Sequence, residues 1–219
     1  LGLKKAPYRM ECFDISHMQG SETVASMVVF EGGVAKKSDY RRFKIRSAEG
    51  KPDDFKSMRE VTTRRYGAPD AEMPDLIVID GGKGQLSSAL EIIRGAGHLL
   101  VPVVGLAKRE EEVFREGESE PVILPRDSQA LFLIQRIRDE AHRFAITYHR
   151  RLRGKRNMVS VLDHIEGIGP KRRQLLYEHY GELEKIKEAS VEEMAGLDGM
   201  NRPAAEAVYN FFLAQRNLR

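Results

Sequence analysis

The chain has 219 residues, 41% of them hydrophobic, enough for one large domain or for a medium and a small one. The formal net charge is +3, and residues 150–219 hold the whole excess, with 13 Lys and Arg against 10 Asp and Glu. A basic tail beside a neutral module predicts that the tail binds a polyanion. One cysteine, Cys12, excludes an internal disulfide framework and predicts a reducing, cytoplasmic setting. No signal peptide or apolar run of transmembrane length is present, so we expect no membrane contact.

The order of apolar runs and turn residues predicts an α/β domain. The first predicted elements are strands at 8–14, 23–30 and 34–45. A helix then begins at 51–54 and ends near 66, and a strand follows at 76–80. After a second helix, which begins at 81–85 and ends at 95, we predict a strand at 101–106, a hairpin at 112–124 and a long helix at 127–150. An antiparallel meander followed by alternating helices and strands predicts a mixed sheet covered by helices.

Charge and glycine content divide the chain further. Five of the seven residues at 150–156 are basic, which indicates a linker. The rest of the tail has the pattern of short helices joined by glycine turns. We therefore predict a domain over residues 1–150, a basic linker over 151–157 and a small all-α domain over 158–219.

Three ionisable residues stand where separate elements could meet. Asp14 and Asp80 lie at the ends of predicted strands, and His142 lies on the predicted long helix. A hard divalent cation takes oxygen ligands, with an occasional imidazole, from separate elements of a rigid frame. The set predicts metal-assisted phosphodiester cleavage. Either aspartate alone would be typical of a strand-ending turn.

Two tail segments, 165–173 and 197–203, resemble each other and the helix-hairpin-helix motif. Each has an apolar residue, a Gly, an apolar residue and a residue that tolerates left-handed geometry, then an amphipathic helix. Glycines let the backbone approach a phosphate, and the hairpin N–H groups with the helix N-terminus hold it. The predicted DNA-binding residues are Gly167, Ile168, Gly169, Lys171 and Arg172 in the first copy, and Gly199, Met200, Asn201 and Arg202 in the second. Two ordinary helical hairpins with glycine caps are the alternative.

The second copy departs from the motif because Asn201 replaces the second glycine. Asn tolerates the left-handed region, so we expect the turn to survive. Contacts to the DNA backbone predict that this module recognises DNA shape rather than sequence.

Three motifs resemble the signature blocks of UvrC, the incision subunit of bacterial nucleotide excision repair. They are Glu-Cys-Phe-Asp-Ile-Ser-His at 11–17, Asp-Gly-Gly-Lys-Gly-Gln at 80–85 and Asp-Glu-Ala-His-Arg-Phe-Ala at 139–145. The resemblance covers essentially the whole chain and corresponds to the C-terminal half of that family. It implies an RNase H-like endonuclease domain, which cuts 5′ to a lesion, followed by a tandem helix-hairpin-helix domain. It also implies damaged or bubble-containing duplex DNA as substrate, UvrB as a partner mainly through regions absent from this chain, and UvrA as an indirect one.

The resemblance assigns Asp14, Asp80 and His142 to an Asp-Asp-His metal site. In an RNase H-like sheet the first and fourth strands are neighbours, which would bring the two aspartates together. Close carboxylates repel unless a cation neutralises them, and Mg²⁺ or Mn²⁺ is the expected ion. His142 could be a ligand or a base for the attacking water. The number of ions stays open.

Three further residues are candidates for a supporting role. Asp54 matches an acidic residue that matters in the family, yet it also stands at a helix start, where capping or indirect support is favoured over direct ligation. Lys83 and Lys108 each follow a predicted strand and could contact a phosphate, with a solvated lysine as the alternative. His17 follows the first predicted strand and could line the site, and a purely structural role explains it equally well.

Two other classes of function compete with the endonuclease. One is a DNA-binding scaffold whose RNase H-like domain is inert. The other is a different RNase H-like nuclease, such as a resolvase or an enzyme that cuts RNA–DNA hybrids. The glycine-rich segment at 81–84 lacks the Walker spacing and a Ser or Thr after the Lys, which argues against ATP binding.

Overall fold

The computed structural model describes residues 1–17, 23–47, 52–107 and 111–216. The chain divides into two compact units, Leu1–Thr147 and Tyr148–Arg219. Within the described residues, no helix is both long enough and apolar enough to span a membrane.

Seven strands and seven α-helices are found in the described part of the chain. The strands are β1 (Arg9–His17), β2 (Thr23–Glu31), β3 (Val34–Ala35), β4 (Arg41–Ile45), β5 (Leu76–Asp80), β6 (Val103–Ala107) and β7 (Glu112–Arg115). The helices are α1 (Asp54–Tyr66), α2 (Lys83–Gly95), α3 (Gln129–Leu162), α4 (Pro170–Tyr180), α5 (Leu183–Glu188), α6 (Val191–Ala195) and α7 (Arg202–Arg216).

The predicted third strand is broken. A 3-10 helix at Lys37–Asp39 separates β3 from β4, so a single strand over 34–45 was wrong. The residues of this 3-10 helix are polar, and none of them is buried. The turn brings the Asp39 carboxylate to 2.7 Å from Nη1 of Arg9, an ion pair that a straight strand would not make.

The long helix was predicted too short. It continues to Leu162 and includes the segment 151–157, for which a linker was predicted. Arg, Lys and Leu are good helix formers, and Gly154 costs only about 1 kcal/mol relative to Ala, so neither composition nor charge ends the helix. The predicted hairpin at 112–124 has only β7 and one isolated pairing, Val113 with Val122.

The strands form one mixed sheet in the order β3-β2-β1-β5-β6-β7, with β4 also paired to β2. The pairs β1–β5 and β5–β6 are parallel, while β1–β2, β2–β4 and β6–β7 are antiparallel. The predicted neighbourhood of the first strand and the strand at 76–80 is therefore confirmed.

The sheet separates two apolar clusters. Phe13 of β1 faces the cluster beneath α1 and α2, whereas its neighbour Cys12 faces the cluster beneath α3, as alternation in a strand requires. The helix side chains in the first cluster are Met58, Val61, Tyr66, Leu86, Ala89 and Ile93. Those in the second are Ile134, Ile137 and Ala141, as the apolar stripe of the long helix predicted.

The second unit has its own core. Its helices are short, and each contributes a few apolar side chains to one cluster. These include Met158, Leu162, Ile165, Leu176, Ile186, Met194, Ala205, Val208 and Phe212.

Candidate metal centre

Asp14, Asp80 and His142 come together on one face of the sheet. Each offers a ligand atom, and these atoms all lie within 4.8 Å of one another. Nδ1 of His142 is 3.7 Å from Oδ1 of Asp14. Asp14 is 3% exposed and Asp80 is 9% exposed, while half of the His142 side chain is open to solvent. The site therefore combines two buried carboxyl groups with an imidazole that solvent can reach.

Strand register explains why the carboxylates are adjacent. The last registered pair between β1 and β5 is Phe13 with Ile79, and Asp14 and Asp80 are the next residues of these parallel strands. β5 is apolar up to that point and β1 is buried from Met10 onward, so burial of these side chains fixes the register. Alternation then places both carboxylates on the face covered by α3, the helix that carries His142.

Cys12, two residues before Asp14, reports on the charge at this site. Burial raises the pKa of the Cys12 thiol well above its usual value, and the negative charges of Asp80 and Asp14 raise it further. Arg138 lowers it. The thiol is thus a protonated core group, in agreement with the prediction that it is not reactive.

The donor set fits a divalent cation. Two negatively charged carboxylates that are both largely buried repel each other, and a cation bound between them offsets this electrostatic repulsion. Carboxylate oxygens with one imidazole suit a hard or borderline ion better than a soft one. Residues of three elements, β1, β5 and α3, would hold it.

Asp54 lies in a separate hydrogen-bonded group. Its Oδ1 is 2.5 Å from Nε2 of His17, and its Oδ2 accepts from the Gln85 amide at 3.3 Å. Asp53, and not Asp54, caps α1 by accepting from the Lys56 N–H. Asp54 is outside the group whose ligand atoms lie within 4.8 Å, so indirect support remains the favoured interpretation of this carboxylate.

Gln85 ties that group to the loop after Asp80. Its side-chain oxygen accepts from the Gly82 N–H at 3.1 Å, while its amide donates to Asp54. Among the candidate lysines, Lys83 is exposed at the first position of α2. Lys108 lies outside the described residues.

Two charged groups were given no role by the sequence argument. Arg138 lies one helical turn before His142 and binds Glu111 at 2.6 Å. The i, i+4 spacing from His142 could have identified it. Glu11 is fully buried on β1, and no local pattern marks it because its partners, Arg65 and Tyr66, lie on α1.

In the tail, the first glycine of each hairpin copy has a backbone conformation that favours glycine. Gly167 has φ +78° and Gly199 has φ +95°, a region that side chains disfavour. Gly169 has φ −77° and is the N-cap of α4, and Asn201 accepts the Ala204 N–H through its side chain. The turn survives with Asn201 in place of the second glycine, but without left-handed geometry at Asn201, because this position caps the next helix.

The other predicted DNA-binding residues divide into core and surface. Ile168 and Met200 are buried in the tail core. Lys171 is exposed, and Arg202 is exposed beside Glu206, 3.0 Å away. Arg172 donates to the Gly167 carbonyl at 2.7 Å and to the Gly199 carbonyl at 3.4 Å, so its guanidinium bridges the two hairpin turns.

Residues 1–146 match the family model described as the UvrC RNAse H endonuclease domain. The chain belongs to the UvrC family. Residues 159–212 match a model described as a SAM-like helix-hairpin-helix tandem. The predicted fold class is therefore confirmed, with a mixed sheet flanked by helices followed by a helical helix-hairpin-helix region.

Curated relatives support the assignment to the UvrC family. The chain is 46% identical to UvrABC system protein C of Desulforudis audaxviator over 97% of its own length, and 49% identical to that of Chlorobaculum tepidum over 98%. It spans 38% and 34% of the length of these two relatives. The solved structure of human ENDOV is 16% identical with a TM-score of 0.33, covering 47% of this chain and 46% of that one.

Proposed function

We propose that this chain is a metal-dependent DNA endonuclease that makes the incision 5′ to a lesion in bacterial nucleotide excision repair. The observation that carries the proposal is the meeting of Asp14, Asp80 and His142, with ligand atoms within 4.8 Å, in a domain of the UvrC endonuclease family. Bacterial relatives called UvrABC system protein C support the biological setting.

Mg²⁺ or Mn²⁺ would be held by Asp14, Asp80 and His142. When bound, either ion supplies a positive charge that polarises the scissile phosphate and stabilises the leaving 3′ oxygen. The buried carboxylates fix its position because neither can turn away from the packed sheet. The half-exposed His142 imidazole would ligate the ion or accept the proton of the attacking water. Hydrolysis then leaves a 5′-phosphate and a 3′-hydroxyl.

The tail is proposed to hold the duplex while the first unit cuts. Glycine turns at Gly167 and Gly199, each followed by a helix start, suit the binding of backbone phosphates. The proposed substrate is damaged or bubble-containing duplex DNA. The proposed partners are UvrB, mainly through parts of the longer relatives that this chain does not span, and indirectly UvrA.

A substrate panel tests the proposal against its rivals. The chain is incubated with Mg²⁺ or Mn²⁺ and three labelled substrates, which are a bubble duplex, an RNA–DNA hybrid of the same sequence and a four-way junction. We expect a single nick in a DNA strand beside the bubble, and we expect DNA ligase to reseal it because ligation requires a 5′-phosphate and a 3′-hydroxyl. Preference for the hybrid or the junction would contradict the proposal. Binding without cleavage in either metal would favour the inert scaffold.

A further inference from the structure

A row of side chains crosses the sheet from its edge to the metal centre. Asp14 pairs with Ser26 of β2, and Ser26 pairs with Arg42 of β4. Directly paired residues point to the same face of a sheet. Arg42 therefore lies on the face that holds Asp14 and Asp80, two strands away from Asp14.

Neighbouring residues confirm this orientation. Phe43 and Ile45 of β4 are buried in the cluster under α1 and α2, so alternation directs Arg42 and Lys44 to the α3 side. Two strand spacings separate Arg42 from Asp14, or about 10 Å between backbones. That separation is within the reach of a nucleic-acid strand whose scissile phosphate lies on the metal centre.

The Arg42 side chain is exposed but held in place. Its guanidinium carbon lies 3.7 Å from the centroid of the Phe144 ring, and Phe144 is two residues from His142 on α3. Tyr40 meets the same ring edge-on at 5.1 Å and donates its hydroxyl to Glu140 at 2.9 Å. The ring thus belongs to α3, and it is contacted by Arg42 of β4 and by the residue before β4.

Stacking of this kind suits anion binding. The face of the guanidinium contacts the ring, whereas its N–H donors lie in its plane and match two oxygens of a phosphate. Preorganisation lowers the entropy lost when the phosphate binds. Lys44, exposed on the same face and further toward the carboxyl end of β1, adds a second positive charge.

We propose that Arg42, stacked on Phe144, is a phosphate-binding subsite for the DNA strand that is cut. The subsite rests on the proposed endonuclease function for its role, because it would align that strand across Asp14 and Asp80. Its ligand is a backbone phosphate away from the scissile bond. Arg42 then positions the substrate and takes no part in the chemistry.

The test measures DNA binding without cleavage. Affinity for a fluorescent bubble duplex is measured from low to moderate salt, with a chelator present, for the wild type, Arg42→Ala and Arg41→Ala. Arg41 is the matched control, because it is the adjacent arginine of β4 and points to the opposite face. We expect Arg42→Ala to reduce the slope of log affinity against log salt by about one, and Arg41→Ala to leave it unchanged. Arg42→Lys should restore the slope but not the full affinity, because the charge returns without the stacked fork.

Cleavage is then followed in Mn²⁺. Arg42→Ala should slow nicking at low DNA concentration and approach the wild-type rate at saturation. Equal slopes for Arg42→Ala and Arg41→Ala would overturn the subsite. If the wild type cuts no DNA, the proposed function fails, while the salt slope still decides the role of Arg42. Thermal melting confirms that the variants are folded, and Arg42→Gln provides a second variant without the charge.

Discussion

At the scale of single residues, charge is concentrated on both faces of β1. Asp14 faces α3 and the metal centre, while Glu11 faces α1 and is fully buried. Glu11 accepts hydrogen bonds from Arg9, Arg65 and the Tyr66 hydroxyl, the last at 2.6 Å. A buried carboxylate is tolerated here because every partner is supplied by the fold.

Glu11→Ala should be strongly destabilising. The substitution leaves two arginines and a buried hydroxyl without their common acceptor, and losing one member of a buried ion pair costs about 3–5 kcal/mol. Urea denaturation measures the change in the free energy of unfolding.

Glu31→Ala is the control for this prediction. Glu31 binds the same Arg9 at 2.8 Å but is partly exposed. When the Glu31 carboxylate is removed, Arg9 still has its ion pairs with Glu11 and Asp39. We expect a loss of no more than about 1 kcal/mol. Equal decreases in the free energy of unfolding for the two variants would contradict the prediction that the buried network around Glu11 stabilises the fold more than an exposed ion pair does.

Sequence reasoning identified the candidate metal centre because its members stand in recognisable places. Asp14 and Asp80 end apolar runs, and His142 lies in a motif on a long helix. The same reasoning missed Arg42, whose closeness to the site depends on the register between β2 and β4. It also did not foresee that Arg172, a predicted DNA contact, bridges two turns that are 32 positions apart in sequence.

At the scale of elements, the loop after β5 determines where Asp80 stands. Gly105 of β6 passes so close to this loop that an added Cβ would lie 2.9 Å from the Gly81 carbonyl oxygen. Gln85 holds the other side of the loop through the Gly82 N–H. Strand, loop and helix start are therefore packed backbone to backbone beside the candidate metal centre.

Gly105→Ala should displace this loop. The new methyl group meets a backbone oxygen and not a flexible side chain, so we expect a loss of about 1–3 kcal/mol in stability and slower metal-dependent nicking. Gly95→Ala is the matched control, because an added Cβ at Gly95 has no neighbour within 4 Å. Wild-type nicking by Gly105→Ala would contradict a role for this packing in placing Asp80.

Element boundaries show where local patterns are insufficient. Strands β1, β2 and β5 were predicted within a few residues, because their apolar runs are long and buried. The break between β3 and β4 was missed because the turn depends on Asp39 binding Arg9, which is distant in sequence. The end of α3 was missed because basic residues are compatible with a helix as well as with a linker.

At the scale of the whole molecule, the proposed chemistry and the proposed DNA contacts of the hairpin turns belong to different units. The candidate metal centre is built entirely within Leu1–Thr147, and both hairpin turns lie within Tyr148–Arg219. The excess positive charge of the sequence is also in the tail. Removing the metal centre should therefore abolish cleavage and leave DNA binding.

The most direct test of this account is the single-turnover rate of Mn²⁺-dependent nicking of a bubble duplex, with DNA affinity measured in parallel. The variants are Asp14→Asn, His142→Ala and, as a control two helical turns further along α3, His149→Ala. The account predicts that the first two lose about 10²-fold or more in rate, that His149→Ala keeps it, and that all three bind DNA like the wild type. Nicking by Asp14→Asn and His142→Ala at the wild-type rate would contradict the assignment of this site as the catalytic centre.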